Sequence, residues 1–244
     1  MQDRMKAIHL LTGGLVLALA GCGPLLGCGQ GPVAKSEVDR SDTKPLTLRL
    51  RAAPGDAYTY SLKVKMQPVD RDGSLDWTAF WDEKATKVEG ETITWDVRFY
   101  DVKVTATGVM SGAERQLMQM DGLRVPLTYN SLGHSMDEEG PSGATANVTL
   151  PESPVKPGDS WESKMEANNT EVRIQYTFIR RLQHEGKNAV LIEGVLPEGQ
   201  VAKSVRPGQF ILDEANGKIL KATAEYEFSS PAKLRMSYEI EQVK

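Results

Sequence analysis

Apolar and polar residues alternate along most of the chain from residue 46 onward. Alternation with a period of two is typical of strands that bury one face. It occurs at residues 46–50, 58–66, 93–99, 172–178, 220–228 and 234–240, and turn residues separate these runs at 89–90, 121–122, 186–187 and 216–217. After Phe99 the apolar set shifts to Tyr100, Val102 and Val104, which predicts a bulge or bend near Phe99. The predicted fold class is mainly β, with an antiparallel curved sheet or open barrel.

A short helix is predicted between the third run and Gly122. Ser111 and Glu114 have the spacing of a capping box, and Gly122 is a suitable C-terminal stop. Ala113, Leu117 and Met120 would form its apolar side. The fold therefore includes one or two short helices, and this one would lie at the mouth of the sheet.

Two stretches share the pattern Pro-Gly-Asp-x-aromatic, PGDAY at residues 54–58 and PGDSW at residues 157–161. Proline followed by glycine favours a type II turn, in which the glycine has a positive φ. Glu-Gly pairs and polar turns with glycine follow in the same order after both stretches. These landmarks predict a domain over residues 46–244 built from two similar halves, 46–150 and 151–244. Shared turn chemistry without common ancestry is the alternative.

The N-terminal residues 1–21 predict a signal peptide. Arg4 and Lys6 precede an apolar run that is too short to span a bilayer. The run ends in Leu-Ala-Gly-Cys, which resembles a lipobox, and the resemblance implies cleavage before Cys22 and its acylation with chains such as palmitate. An ordinary secretory signal with a coincidental cysteine is the alternative. Residues 25–28 resemble a lipobox more weakly, and Met5 competes with Met1 as the start.

Residues 22–45 predict a flexible, lipidated linker, because glycines and then mixed charges replace apolar periodicity there. Gly23 follows Cys22, where enteric bacteria place an aspartate to retain a lipoprotein in the inner membrane. The lipobox resemblance therefore implies a cell-envelope protein anchored in the outer membrane and facing the periplasm.

The chain has a net charge of −4, which argues against nucleic acid as a partner. Both cysteines, Cys22 and Cys28, precede the predicted domain, so its stability must come from burial and not from a disulfide.

The phrase VKPGDSW at residues 155–161 is similar to one found in uncharacterised bacterial lipoproteins that carry a domain of unknown function. The similarity extends loosely over residues 46–244. It implies no catalytic residues and no activity, because none are established for that group.

No catalytic, cofactor or metal motif is found along the chain. His134 and His184 lack metal-ligand spacing, and no nucleophile elbow or phosphate-binding loop occurs. Asp76, Asp82 and Glu83 are assigned to polar faces or turns. A non-enzymatic protein without cofactor or metal is therefore predicted.

The remaining feature is the aromatic group Trp77, Phe80 and Trp81, proposed as a surface for a ligand or partner. A strand buried on both faces is the alternative. A curved sheet with a short helix at its mouth resembles, at fold level only, periplasmic lipoprotein and lipid carriers. The first functional hypothesis is therefore binding of a hydrophobic ligand or lipid; an envelope interaction or scaffolding module and a hydrolase are the others.

Overall fold

The computed structural model describes residues 36–136, 148–167, 170–197, 202–229 and 233–243. The predicted signal peptide, Cys22 and the weaker lipobox lie outside the described residues. Within the described part, the strands are β1 (Ala57–Pro68), β2 (Gly73–Glu89), β3 (Thr92–Gly108), β4 (Arg124–Asn130), β5 (Ser160–Ala167), β6 (Thr170–His184), β7 (Lys187–Val195), β8 (Ala202–Asp213), β9 (Ile219–Phe228) and β10 (Leu234–Gln242), and helix α1 is Glu114–Met118.

All ten of these strands belong to one antiparallel sheet, in the order β4-β3-β2-β1-β10-β9-β8-β7-β6-β5. The predicted mainly β fold with an antiparallel, unclosed sheet is confirmed. Consecutive strands pair along the chain except β4 and β5, and β1 pairs with β10, which joins the two ends of the domain. β4 and β5 are the edge strands, so the sheet does not close.

The apolar face of the sheet is called here the core face. Side chains from strands that are not neighbours meet on this face, which shows that the sheet is strongly curved. Lys218, the residue before β9, forms an ion pair with Glu83 on β2, although β1 and β10 lie between β9 and β2. Tyr176 on β6 and Phe210 on β8 likewise have ring centres 5.8 Å apart, although β7 lies between those strands. The opposite face is called the outer face.

The core face is filled by the sheet's own side chains and by two extended segments, residues 46–52 and 148–155. Leu48, Leu50, Val148 and Leu150 from these segments are buried in the same cluster as the aromatic residues of β1 to β4. The segments pair with each other through a single bridge between Leu46 and Val155. The prediction of a regular strand at residues 46–50 is therefore wrong, because this segment crosses the core instead of extending the sheet.

The bulge predicted near Phe99 is confirmed two residues further on. Asp101 has a φ of +51°, and the register between β2 and β3 shifts between Thr78 and Phe80. Val102 then continues the core face, whereas Tyr100 lies on the outer face against Phe80. The prediction that Tyr100 and Val102 lie on the same apolar face is therefore wrong.

Helix α1 is present, but its predicted capping box is wrong. Ala113 is the N-cap and makes no side-chain capping bond. The Ser111 hydroxyl donates to the carbonyl of Gly108 instead, because residues 108–113 form consecutive turns that lead into the helix. Leu117 and Met120 are buried as expected.

The two Pro-Gly-Asp stretches form matching turns. Gly55 and Gly158 both have a φ of +98°, as a type II turn requires. Each glycine N–H donates to the neighbouring strand, Gly55 to Ala85 on β2 at 2.8 Å and Gly158 to Phe178 on β6 at 2.7 Å. A register shift follows both acceptor residues, in the β2–β3 and β6–β7 ladders. These matches favour the proposal that the halves 46–150 and 151–244 are similar, with β1–β4 matching β5–β8.

If the turns are equivalent, Gly55→Ala and Gly158→Ala should lower the free energy of unfolding equally. A Cβ at Gly55 meets nothing within 4 Å, and one at Gly158 meets only a Val38 methyl at 3.6 Å. The cost of each variant is therefore that of the positive φ, about 1–2 kcal/mol. Urea unfolding curves measure both; a difference above about 1 kcal/mol would argue against equivalent turns.

Residues 36–44, part of the predicted linker, lie against β6 and β7. The Asp39 N–H donates to the carbonyl of Ile179 at 3.1 Å, Asp42 forms an ion pair with Arg181, and Ser36 bonds to Glu193. No helix among the described residues has the length and apolar character needed to cross a membrane.

Candidate functional site

A trough of about 720 Å3 crosses the outer face of the sheet. Its floor and walls come from five adjacent strands, β7, β8, β9, β10 and β1, and from the N-terminal segment. The lining residues are Ser36, Lys63, Lys65, Glu193, Val205, Arg206, Pro207, Gln209, Thr223, Ala224, Glu225, Ser237, Tyr238 and Glu239. A volume of this size is within the range of small-ligand pockets, about 300–1,000 Å3.

Strand register explains why these residues meet. One row across the sheet runs Glu193, Gln209, Thr223, Glu239 and Lys63, each paired with the next on the neighbouring strand. The row crosses four inter-strand steps, which span about 19 Å. A second row brings Glu225, Ser237 and Lys65 alongside. Because side chains alternate between faces, all of these point away from the core.

One wall of the trough is a double irregularity in β8. The register with β9 shifts between Ser204 and Arg206, and again between Arg206 and Gln209. The extra residues bend the strand, and Pro207 has no N–H to offer the ladder. Val205, Arg206 and Pro207 consequently line the trough beside the flatter β9 and β10.

The trough carries three cationic and three anionic side chains. Lys63 lies 3.6 Å from Glu239, and Arg206 lies 3.5 Å from Glu225. The side chains of Lys63 and Arg206 are 57% and 81% exposed, so these ion pairs are weak and their charges stay available. A ligand with both charges matches this surface better than a polyanion.

A second polar cluster, the buried ion pair of Glu83 and Lys218, lies on the core face. The two side chains are 1% and 0% exposed. Trp81 Nε1 donates to the second oxygen of Glu83 at 3.0 Å, and the Lys218 ammonium lies 4.4 Å from the ring centre of Trp95. Such a pair stays charged in an apolar core only when its hydrogen bonds are satisfied. Neither residue of the pair lines the trough.

The assignment of Glu83 to a polar face or turn is wrong, because its side chain is buried. The alternation of β2 places Trp77, Ala79, Trp81 and Glu83 on one face, and that face is the core. The alternation of apolar and polar residues along β2 already placed Glu83 on the apolar face, but its carboxylate was expected to contact solvent. Lys218 gave no sequence signal, because only the fold brings it to Glu83.

Tyrosines surround this buried pair and continue along the core face. Burial raises the pKa of Tyr58 to about 12 and that of Tyr60 well above its usual value, with nearby carboxylates adding to the effect. Burial also raises the pKa of Tyr226 to about 12. All three hydroxyls are neutral at physiological pH, as an unshifted tyrosine also is.

The proposed aromatic surface of Trp77, Phe80 and Trp81 is divided between the two faces. Trp77 and Trp81 are buried in the core, at 5% and 2% exposure. Phe80 lies on the outer face, half-buried and stacked on Tyr100 with ring centres 5.8 Å apart. The three side chains are not brought together, and none of them lines the trough.

The other titratable candidates stay apart. His134 is exposed beyond β4, and His184 ends β6. The described residues contain no group of three or more His, Cys, Asp or Glu placed to hold a metal ion. Sequence patterns did not indicate the trough, because its lining residues are scattered between residues 36 and 239. Only the strand register brings them together.

No protein family model matches the chain, and no curated protein matches it. Among solved structures, lipovitellin is similar with a TM-score of 0.44 and 9% identity over 79% of this chain; the chain spans about a quarter of lipovitellin, 25%. A LolA superfamily protein from Nitrosomonas europaea has a TM-score of 0.26 and 9% identity, with 77% of this chain and 85% of that chain covered. A putative outer membrane lipoprotein-sorting protein domain from Vibrio parahaemolyticus has a TM-score of 0.20 and 11% identity, with 77% and 84% covered. Scores and identities this low carry no function from these proteins to this one.

Proposed function

We propose that this protein is a non-enzymatic envelope lipoprotein, anchored through Cys22 in the outer membrane and facing the periplasm, that binds a phospholipid or similar amphipathic ligand in the trough. The observation that carries the proposal is the trough itself, with its volume of about 720 Å3 and its charges of both signs. The ligand would therefore lie on the outer face, outside the packed interior of the sheet.

The chemistry of the lining suits an amphiphile. Lysine and arginine bind phosphate, and carboxylates bind an ammonium group. Val205 and Pro207 add apolar surface on the same wall, and the aliphatic stems of Lys63 and Lys65 extend it. A headgroup with both charges would find partners across the trough, while part of an acyl chain could lie along the apolar wall.

The position of the trough relative to the proposed anchor supports a ligand from the membrane. Ser36 lines the trough, and it lies fourteen residues along the chain from Cys22, with thirteen residues between them. A chain of that length reaches at most about 50 Å when fully extended. A lipidated Cys22 would therefore keep the trough within that distance of the bilayer surface.

A bulky side chain on the floor of the trough should block binding. Thr223→Trp places an indole between Gln209 and Glu239 and is expected to weaken binding of monomeric dihexanoylphosphatidylethanolamine at least tenfold. Thr105→Trp is the matched control, because Thr105 is an exposed residue on β3 outside the trough. Isothermal titration calorimetry of the full chain measures both. Equal affinity of the two variants would contradict the assignment of the trough.

A further inference from the structure

Glu193 is an unusual member of the trough. It lies on β7 and is 4% exposed, whereas the trough's other carboxylates, Glu225 and Glu239, are partly exposed and each pairs with a cation. No lysine or arginine in the described part of the chain lies within ion-pair distance of Glu193. A buried carboxylate without a counter-ion is costly unless hydrogen bonds replace its water.

Those hydrogen bonds come from Ser36 in the predicted linker. The Ser36 N–H lies 3.2 and 3.1 Å from the two carboxylate oxygens, and its hydroxyl also donates to one of them. Gln209 Nε2 in turn donates to the Ser36 hydroxyl at 3.3 Å. The sheet therefore supplies a buried acceptor, and a residue outside the sheet fills it with neutral donors.

We propose that Glu193 is the ammonium-binding group of the trough, and that Ser36 holds its place until the ligand arrives. The inference rests on the proposed function and narrows its ligand class to amphiphiles with a primary ammonium beside a phosphodiester, as in phosphatidylethanolamine. An ammonium offers three donors and a full positive charge, where Ser36 offers two neutral donors. Ligand binding and the docking of Ser36 are consequently mutually exclusive.

A guanidinium group lies where it can bind the phosphate of such a ligand. Arg206 lies on the β8 irregularity, three residues before Gln209, which is the cross-strand neighbour of Glu193. Its side chain is 81% exposed, and its partner Glu225 lies 3.5 Å away on the adjacent strand. A guanidinium with this freedom can turn to a phosphate oxygen while the ammonium reaches Glu193.

The test compares three probes on the full chain by calorimetry: dihexanoylphosphatidylethanolamine, dihexanoylphosphatidylglycerol and free phosphoethanolamine. We expect the first to bind about tenfold more tightly than the second. Glu193→Gln should remove that preference by weakening phosphatidylethanolamine binding about tenfold. Glu162→Gln, on the exposed outer face of edge strand β5, is the matched control and should keep it. Ser36→Pro removes both competing donors and should strengthen phosphatidylethanolamine binding several-fold.

The outcomes separate this inference from the function on which it rests. Equal binding of both lipids by the parent chain, or a preference that survives Glu193→Gln, would overturn the role of Glu193 and leave lipid binding intact. Failure of both lipids to bind would overturn the proposed function. Free phosphoethanolamine binding as tightly as the lipid, and losing affinity in Glu193→Gln, would support the ammonium site and overturn a lipid as its source.

Discussion

Lys218→Met is expected to lower the free energy of unfolding by about 3–5 kcal/mol, because it leaves the buried carboxylate of Glu83 without its counter-charge. Both side chains are almost fully buried, and water cannot take over the role of the ammonium. The lost contact of the ammonium with Trp95 adds to the cost. Urea unfolding followed by tryptophan fluorescence measures the change, since Trp81 and Trp95 surround the pair.

The double variant Glu83→Gln with Lys218→Met should recover most of that loss. The glutamine carbonyl can still accept the hydrogen bond from Trp81 Nε1, and no charge remains in the core. Lys221→Met is the surface control, because Lys221 is partly exposed and pairs with Glu239 at 3.4 Å; it should cost at most about 1 kcal/mol. A Lys218→Met variant as stable as the Lys221→Met control would contradict the burial of the pair.

Gly217→Ala should be the second severe substitution, at about 3 kcal/mol or more, because strain and a steric clash add together. Gly217 has a φ of +70°, and a Cβ there would lie 2.6 Å from the Arg49 carbonyl oxygen in the segment that crosses the core. The backbone of that segment must move to make room. The displaced segment carries Leu48 and Leu50, which are buried against the sheet.

Gly122→Ala is the matched control for that variant. Gly122 has a φ of +76°, but a Cβ there would meet nothing within 4 Å. It should cost only the price of the positive φ, about 1–2 kcal/mol. Thermal or urea unfolding of both variants isolates the clash as the difference, and equal losses would mean that the segment at Arg49 is not packed against the β8–β9 turn.

Local rules predicted much of the fold. The period of two placed Tyr58 and Tyr60 on β1, and the glycines of the repeated turns were expected to have the positive φ that both show. These predictions succeed because strand pleating and glycine stereochemistry are properties of neighbouring residues. The prediction at residues 46–50 failed for the same reason: alternation shows that Leu48 and Leu50 are buried, but not whether a sheet or a core-crossing segment buries them.

The functional surface was beyond the reach of local rules. Glu193 and Lys63 are 130 residues apart in the sequence, and they share the trough only because β7–β10 and β1 lie side by side. Ser36 was placed in a flexible linker by its composition, and its contact with Glu193 depends on the finished sheet. Sequence patterns did indicate an aromatic surface at Trp77 to Trp81, but the pleat sends those rings to opposite faces.

The most direct test of the proposed function is organic-solvent extraction of the full chain purified from cell envelopes, with phospholipid per protein quantified by mass spectrometry. The parent chain and Thr105→Trp should carry phospholipid in a fixed, near-stoichiometric amount, and Thr223→Trp, purified in the same detergent, should lose most of it. Equal phospholipid in the parent chain and Thr223→Trp would show that the lipid is detergent background or binds elsewhere. That result would contradict the trough as the ligand site.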